Sequence, residues 1–285
     1  MLGEYYHCDP ATLTEQQVRA YFVYLRTEKK YHGSTMNQAK VAIRTFYHGY
    51  LKIEPQWPLF EEIKVRRKDD LPTVITREEV RLLLSCVDDQ KYHTILTVIY
   101  SCGLRISEAC KLEVTDIDTN AQRILIRDGK GGKSRYVPIA PEVIDLMREW
   151  YKVHRNKRFI FPAVGRKWKT TKLATREQQF EQQRAAMHKA KVPISASAVR
   201  NALRYAVSAS RLKQPITLHT LRHCYATHLL EDGVSIRHIS AYLGHASLNQ
   251  TLIYAHLTTT GEAHTRATLD GLFKTVIAPT KPDLR

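Results

Sequence analysis

The stretch that decides the fold is HTLRHCYATHLLEDGVSIRHISAYLGHASLNQTLIYAHL, which occupies positions 219–257 of the 285-residue chain. The spacing of its apolar residues predicts helices over 219–230 and 236–243, followed by a short helix over 252–257. None of its polar residues indicates a function when it is considered alone. An arginine three positions after a histidine is usual on a solvated helix face, and a tyrosine between isoleucine and alanine usually belongs to a core. The stretch therefore predicts a helical C-terminal region.

The region upstream of this stretch predicts further helices around one β-hairpin. Thr76 and Glu79 fit a capping box, and Gly103 is expected to end a helix with a left-handed turn. Residues 123–127 alternate polar and apolar side chains, and 136–139 return after a glycine-rich turn, as two half-buried strands would. Helices are predicted over 77–87, 92–101, 141–153 and 197–210. The fold class predicted is mainly α with a small antiparallel β-sheet.

Residues 65–76 are expected to link two domains. The segment is charged, contains a proline and lies between two helical patterns. Ahead of it, amphipathic helices are predicted over 13–26 and 34–51. We therefore expect a short helical domain over 1–68 and a larger domain over 74–285.

Positive charge is concentrated in the middle of the chain. The whole sequence has 44 Lys and Arg residues against 28 Asp and Glu residues, a net charge of +16. Residues 123–213 alone hold 22 basic and six acidic residues, whereas residues 1–72 have a net charge of only +2. Charge concentrated in this way favours a polyanionic partner such as DNA, because neutralised phosphates release their counterions. An idle basic surface or an anionic membrane surface would have the same composition.

Within this basic region, residues 163–193 form a polar segment that predicts a helix over about 174–189. The segment has few large apolar side chains, so we expect it to contact DNA phosphate or a neighbouring protomer and to contribute little to the core. The C-terminal tail over 259–285 is expected to include a short helix at Glu262–Phe273 that docks on a neighbouring protomer, with packing against its own domain as the alternative.

Composition excludes several classes of protein. No apolar run of about 18 residues is present, so no transmembrane helix and no membrane partner are expected. The N-terminal residues lack an apolar signal core, and the five cysteines include no CxxC pair. These features favour a cytoplasmic protein in a reducing compartment, with no disulfide framework and no cysteine-based zinc site.

Four motifs together resemble one family. They are CGLRISE at 102–108, GKGGKSRYVPI at 129–139, HTLRHCYATHLLEDG at 219–233 and LGHASLNQTLIYAHL at 243–257. In this order they resemble the tyrosine recombinases, or phage integrase family, and are most similar to the Xer recombinases and integron integrases. The resemblance implies a tyrosine recombinase catalytic fold preceded by a small helical, SAM-like core-binding domain, the two forming a C-shaped clamp on duplex DNA.

The same resemblance assigns catalytic roles to individual residues. Tyr254 would attack a DNA phosphodiester, and Lys130 would protonate the leaving 5′ oxygen, with Lys133 as the competing candidate for that role. The remaining assignments are Arg105 and Arg222 as donors to the non-bridging phosphate oxygens, His219 as acceptor of the tyrosine proton or as a phosphate ligand, and His245 as a further phosphate donor. Glu108 would orient a catalytic neighbour. No cofactor is implied.

Two histidines spaced four residues apart raise the alternative of a metal site. His219 and His223 would lie on one face of a helix, but Thr220 replaces the glutamate of an HExxH signature and no further ligand cluster is nearby. No metal is therefore expected, and His223 and His228 are interpreted as structural.

Candidate DNA contacts lie on one predicted helix in each domain. Arg200 and Arg204 belong to the helix that resembles the family's major-groove helix. Lys40 and Arg44 occupy a similar place in the N-terminal domain, and Lys133 lies on the hairpin turn. All of these residues could instead contact phosphate without reading sequence.

The predicted function is site-specific DNA strand exchange through a 3′-phosphotyrosine and a Holliday junction. The predicted partner is a double-stranded DNA recombination site. We expect a monomer when the protein is free and a homo-tetramer at synapsis. A mobile element is the expected setting, and the sequence does not distinguish integration, excision, dimer resolution and transposon movement. Two alternatives remain open at this point: a type IB topoisomerase-like relaxation of DNA, and a DNA-binding protein without catalysis.

Overall fold

The computed structural model describes residues 2–53, 56–63, 72–127, 134–164, 175–245 and 247–255. The chain divides into two compact units, Met1–Asp70 and Leu71–Arg285. Among the described residues, no helix is both long and apolar enough to span a membrane.

The first unit is helical. Its helices are α1 (Leu2–Tyr6), α2 (Glu15–Thr27), α3 (Gly33–Arg44) and α4 (Leu59–Glu62), with a 3₁₀ turn at Pro10–Thr12 and a π-helical turn at Thr45–Tyr50. The predicted helix over 13–26 corresponds to α2, which begins after a capping box formed by Thr14 and Gln17. The predicted helix over 34–51 is divided between α3 and the π-helical turn.

The core of this unit is formed largely by one face of α2. Val18, Phe22 and Leu25 lie three and four residues apart and are all buried. They pack with side chains from the later helices, including Tyr47 and Phe60. The Tyr47 hydroxyl donates a hydrogen bond to the Pro10 carbonyl at 2.5 Å, so a buried polar group also ties the 3₁₀ turn to the core.

The second unit is mostly helical, with one small sheet. Its helices are α5 (Arg77–Ser85), α6 (Gln90–Cys102), α7 (Ile106–Cys110), α8 (Pro141–His154), α9 (Arg176–His188), α10 (Ala196–Ser210), α11 (Leu218–Glu231), α12 (Ile236–Leu243) and α13 (Asn249–Ala255). The strands are β1 (Ile117–Asp118), β2 (Arg123–Ile126) and β3 (Arg135–Pro138). They form an antiparallel sheet in the order β1-β2-β3, with Ile124 opposite Val137. The fold class predicted from the sequence is confirmed.

Helix α6 is the centre of this unit. Apolar side chains are buried on more than one of its faces, among them Ile95, Leu96, Val98 and Ile99. It packs against α5, α8, α10 and α11, which explains why it is apolar around most of its circumference. The helix ends at Gly103, whose φ of +59° is the left-handed conformation expected of a glycine C-cap.

The basic segment 163–193 is expected to contribute little to the core, but its C-terminal end is part of the core. Met187 in α9 is 3% exposed and belongs to the core of the second unit. The buried Asn156 side chain donates hydrogen bonds to the carbonyls of Met187, His188 and Ala190 at 2.8–3.1 Å. The polar helix predicted over 174–189 is present, but its last turn is part of the domain structure. The predicted helix at 262–273 and residues 165–174 lie outside the described residues.

Replacing Gly103 should destabilise the second unit strongly. In Gly103→Ala, the added Cβ would lie 2.3 Å from the Cδ1 atom of the buried Tyr225 ring, and the alanine would also need a left-handed backbone. Left-handed strain of about 1–2 kcal/mol and overpacking of about 1–3 kcal/mol should together lower the free energy of unfolding. Urea denaturation followed by circular dichroism measures this loss.

Gly233→Ala provides the matched control. Gly233 also has a positive φ, +81°, but an added Cβ would meet nothing within 4 Å. The free energy of unfolding of Gly233→Ala should therefore fall only by the left-handed backbone strain, with no loss from overpacking. Equal losses in the two variants would show that contact with Tyr225 is not the reason for glycine at position 103.

Candidate active site

The turn after α6 places the first arginine of the site. Gly103 reverses the chain, and Arg105 then becomes the N-cap residue of α7. The Arg105 backbone N–H donates to Oε2 of Glu108 at 2.8 Å, which is the reciprocal half of a capping box. The short helix α7 is thereby anchored by the glutamate that also reaches the arginine side chain.

Three guanidinium groups surround the buried carboxylate of Glu108, whose side chain is 7% exposed. Arg135 on β3 binds both carboxylate oxygens, with two distances of 2.9 Å. Arg105 Nη1 lies 2.9 Å from Oε1, and Arg222 Nη1 lies 3.9 Å from Oε2. Burial alone would raise the pKa of Glu108, but hydrogen bonds from Arg135 and Arg105 outweigh it and hold the pKa below its usual range.

Arg222 is fixed by carbonyl groups at the ends of two helices. It lies on α11 and is 4% exposed. Its Nη1 donates to the Gly103 carbonyl at 2.7 Å and its Nη2 donates to the Leu243 carbonyl at 2.6 Å. Burial and the neighbouring Arg105 lower the pKa of Arg222 to about 10, so the guanidinium remains charged at neutral pH.

The turn after α12 brings His245 beside these arginines. Gly244 ends the helix with a φ of +62°, and a Cβ there would lie 3.0–3.1 Å from the Arg135 side chain. His245 Nδ1 shares a hydrogen bond of 2.7 Å with the Thr251 hydroxyl. Burial and the charges of Arg222, Arg105 and Arg135 lower the pKa of His245 to about 4, so the ring is neutral at pH 7.

Tyr254 lies on α13 and is 2% exposed. Its hydroxyl is 2.8 Å from Nδ1 of His223, the residue that follows Arg222 on α11. Burial raises the pKa of the Tyr254 phenol, and Arg222 partly offsets this effect. The phenol is therefore protonated at neutral pH and bound to a histidine.

His219 occupies a different position, at the edge of a surface groove. It is exposed and lies one helical turn before His223, with 6.2 Å between the two ring centroids. The groove has a volume of about 540 Å³ and is also lined by Arg200 and Arg204 from α10. Desolvation, followed by the charges of Arg222, Arg105 and Arg200, lowers the pKa of His219.

The structure brings together most of the residues predicted to form the site. The cluster contains Arg105, Arg222, His245 and Tyr254, and His219 lies at its edge, where the charges of Arg222 and Arg105 act on it. Both candidate general acids, Lys130 and Lys133, lie outside the described residues.

The two candidate DNA contacts in the first unit already have partners in the protein. The Lys40 ammonium donates to the Ile63 carbonyl at 3.0 Å, and Arg44 lies 3.4 Å from the Glu61 carboxylate. On α10 of the second unit, Arg200 is exposed, and Arg204 is exposed and hydrogen-bonded to Asn201.

Sequence reasoning missed two residues of the site. Arg135 was not singled out, although it follows the glycine-rich turn in the GKGGKSRYVPI motif. His223, for which the sequence predicts a structural role, has its Nδ1 2.8 Å from the Tyr254 hydroxyl oxygen. The interpretation of His228 was correct, because its ring bonds the Tyr100 hydroxyl and the Ile75 carbonyl.

The cluster carries more positive than negative charge. Three guanidiniums share the single Glu108 carboxylate, and His223 and His245 are neutral at pH 7. An anion with several oxygen acceptors, such as a phosphodiester, would be stabilised here. Among the described residues, no group of three or more His, Cys, Asp or Glu side chains could hold a metal ion.

Comparison with known proteins gives a consistent result. The model of the phage integrase family matches residues 73–260, and that of the phage integrase N-terminal SAM-like domain matches residues 1–57. The integrase/recombinase y4qK of Sinorhizobium fredii is 35% identical over 274 residues, covering 96% of this chain and 80% of that protein. Tyrosine recombinase XerA of Thermococcus kodakarensis is 32% identical over 230 residues, covering 80% of this chain and 72% of the relative.

Solved structures share the fold. The Tn1549 transposon integrase, in complex with a circular intermediate DNA, superposes with a TM-score of 0.66 at 18% sequence identity. The match covers 92% of this chain and 87% of that chain.

Removing Arg135 should destabilise the chain far more than removing an exposed arginine of the same hairpin. Arg135→Met leaves the buried Glu108 carboxylate with only part of its hydrogen bonding, so a loss of about 3–5 kcal/mol in unfolding free energy is expected. Arg123, whose side chain is 45% exposed and pairs with Asp118, provides the control. Arg123→Met should cost about 1 kcal/mol or less.

Urea denaturation at pH 7 and at pH 3 measures both effects. The pKa of Glu108 is lowered in the folded protein, so its stabilising contribution is present above the unfolded pKa of about 4.3 and is lost as pH falls through the folded value. The difference between wild type and Arg135→Met should therefore shrink in acid. A difference that is the same at both pH values would mean that Arg135 acts through packing and its bond to the Tyr242 carbonyl, and not through the Glu108 carboxylate.

Proposed function

Because this chain belongs to the phage integrase family and is a tyrosine-type site-specific DNA recombinase, we propose that Tyr254 is the nucleophile through which it cleaves and rejoins duplex DNA. The observation that carries the proposal is the position of the Tyr254 hydroxyl, bound to the residue next to Arg222 and beside a cluster of surplus guanidinium charge. Attack on a phosphodiester would form a 3′-phosphotyrosine and release a 5′ hydroxyl. One phosphoester bond, to the 5′ oxygen, is replaced by another, to the tyrosine oxygen, so religation needs no cofactor.

Arg105 and Arg222 would stabilise the transition state. Negative charge develops on the non-bridging oxygens of the pentacoordinate phosphorus, and planar guanidiniums match such oxygens with paired N–H donors. Both arginines are held by protein acceptors before DNA arrives, Arg222 by two carbonyls and Arg105 by Glu108. Each guanidinium has five N–H donors, so these contacts leave donors for phosphate.

The histidines would contribute to the same phosphate. His245 would donate to a phosphate oxygen from Nε2, since its Nδ1 is bonded to Thr251. His219, at the edge of the groove beside Arg200, would contact the phosphate from the DNA side. Both rings have lowered pKa values and act as neutral donors at pH 7.

DNA contacts are proposed on helices of both units. The groove along α10 would take the DNA beside Arg200 and Arg204, and Lys40 and Arg44 would contact it from the N-terminal domain. Lys133 would contact phosphate beside the general acid Lys130. The domains proposed are 1–68 and 74–285.

The assembly proposed is a monomer in solution that forms a tetramer at synapsis and exchanges strands through a Holliday junction. The protein would act in the cytoplasm on a mobile element. The Tn1549 integrase, whose structure holds a circular intermediate DNA, supports a mobile-element DNA as the partner. The part of segment 163–193 that precedes the last turn of α9, and the tail 259–285, would supply contacts to DNA or to a neighbouring protomer.

Tyr254→Phe should abolish covalent attachment to DNA and leave binding within about threefold of wild type. The change removes one hydroxyl and one hydrogen bond, whose loss costs about 1 kcal/mol of stability. The target site is first identified by incubating the wild type with a randomised pool of duplexes and recovering those that stay attached to the protein in denaturant. A nicked version of the recovered duplex is then used as the substrate. Adduct is measured by denaturing gel electrophoresis.

Tyr225→Phe is the matched control, because Tyr225 is another buried tyrosine of the same apolar cluster. It should form adduct at the wild-type rate. Adduct formation by Tyr254→Phe would refute the assignment, and relaxation of supercoiled DNA without a selected site would favour a topoisomerase.

Lys130→Ala should slow cleavage by about 100-fold or more, as expected for loss of a general acid. A substrate with sulfur in place of the bridging 5′ oxygen should recover most of the rate, because a thiolate leaves without a proton. Lys133→Ala should cleave normal DNA at close to the wild-type rate and should gain little from the sulfur substrate. If Lys133→Ala is the variant rescued by sulfur, the general acid is Lys133.

A further inference from the structure

Tyr254 cannot act as a nucleophile until its phenol loses a proton, and burial makes that loss harder. Burial raises the pKa of this phenol, so almost none of it is ionised at neutral pH. A proton acceptor must therefore be in contact with the hydroxyl when the bond to phosphorus forms. The sequence assigns this role to His219 and interprets His223, one turn further along α11, as structural.

The geometry separates these two histidines. His223 Nδ1 lies 2.8 Å from the Tyr254 hydroxyl oxygen, within direct proton-transfer distance. His219 is exposed and lines the groove beside Arg200 and Arg204. One ring faces the nucleophile, and the other faces the place proposed for DNA.

We propose that His223, and not His219, is the catalytic residue that accepts the proton of Tyr254 during strand cleavage. The inference rests on the proposed function. As the bond from the tyrosine oxygen to phosphorus forms, the O–H bond breaks and its proton moves to Nδ1 of His223, giving an imidazolium. The bond from phosphorus to the 5′ oxygen breaks, and that oxygen takes a proton from the general acid assigned to Lys130.

Religation reverses each transfer. The 5′ hydroxyl attacks the phosphotyrosine and returns its proton to the acid. The phenolate leaves and takes the proton back from the His223 imidazolium. Bonds and protons balance over the cycle, and no oxidant, metal or cofactor enters it.

The electrostatic surroundings make this acceptor dependent on DNA. The groups that face His223 are His219 and Arg222 on its own helix, Tyr254 on α13 and His245 after α12. In the free protein, burial, followed by His219 and Arg222, lowers the pKa of His223 to about 4, so the ring is neutral and one of its two nitrogens has a lone pair that can accept a proton. A bound phosphate adds negative charge beside Arg222 and makes the imidazolium less costly.

The role requires one tautomer of His223, with its proton on Nε2 and a free lone pair on Nδ1. This requirement can be measured without DNA. Nitrogen-15 chemical shifts of the histidine side chains in the wild-type protein distinguish the two tautomers, and contacts with the Tyr254 ring assign the signal. An Nδ1 without a proton is expected, and a protonated Nδ1 donating to the tyrosine would overturn the proposal.

Cleavage by His223→Asn provides the second test, on the nicked duplex selected with the wild type. Asparagine keeps a hydrogen-bonding group near the tyrosine but cannot take a proton at neutral pH. The single-turnover rate should fall by about 100-fold or more at pH 7, with DNA binding and melting temperature close to wild type. The deficit should shrink by about tenfold per pH unit as the pH rises, because hydroxide replaces the missing acceptor.

Two matched variants complete the design. His219→Asn should lose rate equally at every pH, as expected for a phosphate contact. His238→Asn alters an exposed histidine of α12 and should cleave at the wild-type rate. Cleavage by His223→Asn within threefold of wild type, or a deficit that does not change with pH, would reduce His223 to a structural partner and overturn the inference.

Adduct formation by the wild-type protein distinguishes a failure of this inference from a failure of the proposed function. Adduct formation by the wild type, with no defect in His223→Asn, would overturn only the role of His223. Absence of adduct with the wild type would overturn the proposed function and this inference together.

Discussion

The buried carboxylate of Glu108 is the group on which the site depends. An unpaired carboxylate at 7% exposure would cost several kcal/mol, so the guanidiniums around it are a condition of folding. They come from different parts of the chain: Arg105 starts α7, Arg135 lies on β3 and Arg222 lies on α11. One carboxylate therefore fixes a helix terminus, a hairpin strand and a buried helix relative to one another, and α7, with five residues, is too short to be stable without it.

The same arginines also satisfy the ends of two helices. The last carbonyls of a helix lack partners within it, and the negative end of the helix dipole lies there. Arg222 bonds the Gly103 carbonyl after α6 and the Leu243 carbonyl at the end of α12, and Arg135 bonds the Tyr242 carbonyl one residue earlier. Gly103 and Gly244 end these helices in the left-handed conformation. The backbone at both ends thus holds the guanidiniums of Arg222 and Arg135 in place.

Local signals in the sequence predicted the helices well and the contacts within the site poorly. Thr76 and Gly103 mark helix ends through bonds to residues a few positions away, so short-range patterns were sufficient. Helix α7 and strand β1, with five and two residues, are too short to show a period. The role of Arg135 depends on Glu108 and Tyr242, 27 and 107 positions away, which no local pattern reports. Helical spacing also puts His219 and His223 on one face, and only the position of α13 shows which of them meets Tyr254.

Surplus positive charge links the stability of this cluster to its chemistry. Glu108 neutralises one of the three guanidiniums around it, and helix ends offset only part of the remainder. Burial is the main reason for the lowered pKa values of Arg222 and His245, and the repulsion that remains between the positive groups lowers both values further. A phosphodiester placed between Arg105 and Arg222 would relieve that repulsion, and the charge developing in the transition state would relieve it further. The arginines are already held in position by backbone carbonyls and Glu108, so little free energy is needed to reorganise the site when DNA binds. Such preorganisation is the condition for efficient electrostatic catalysis.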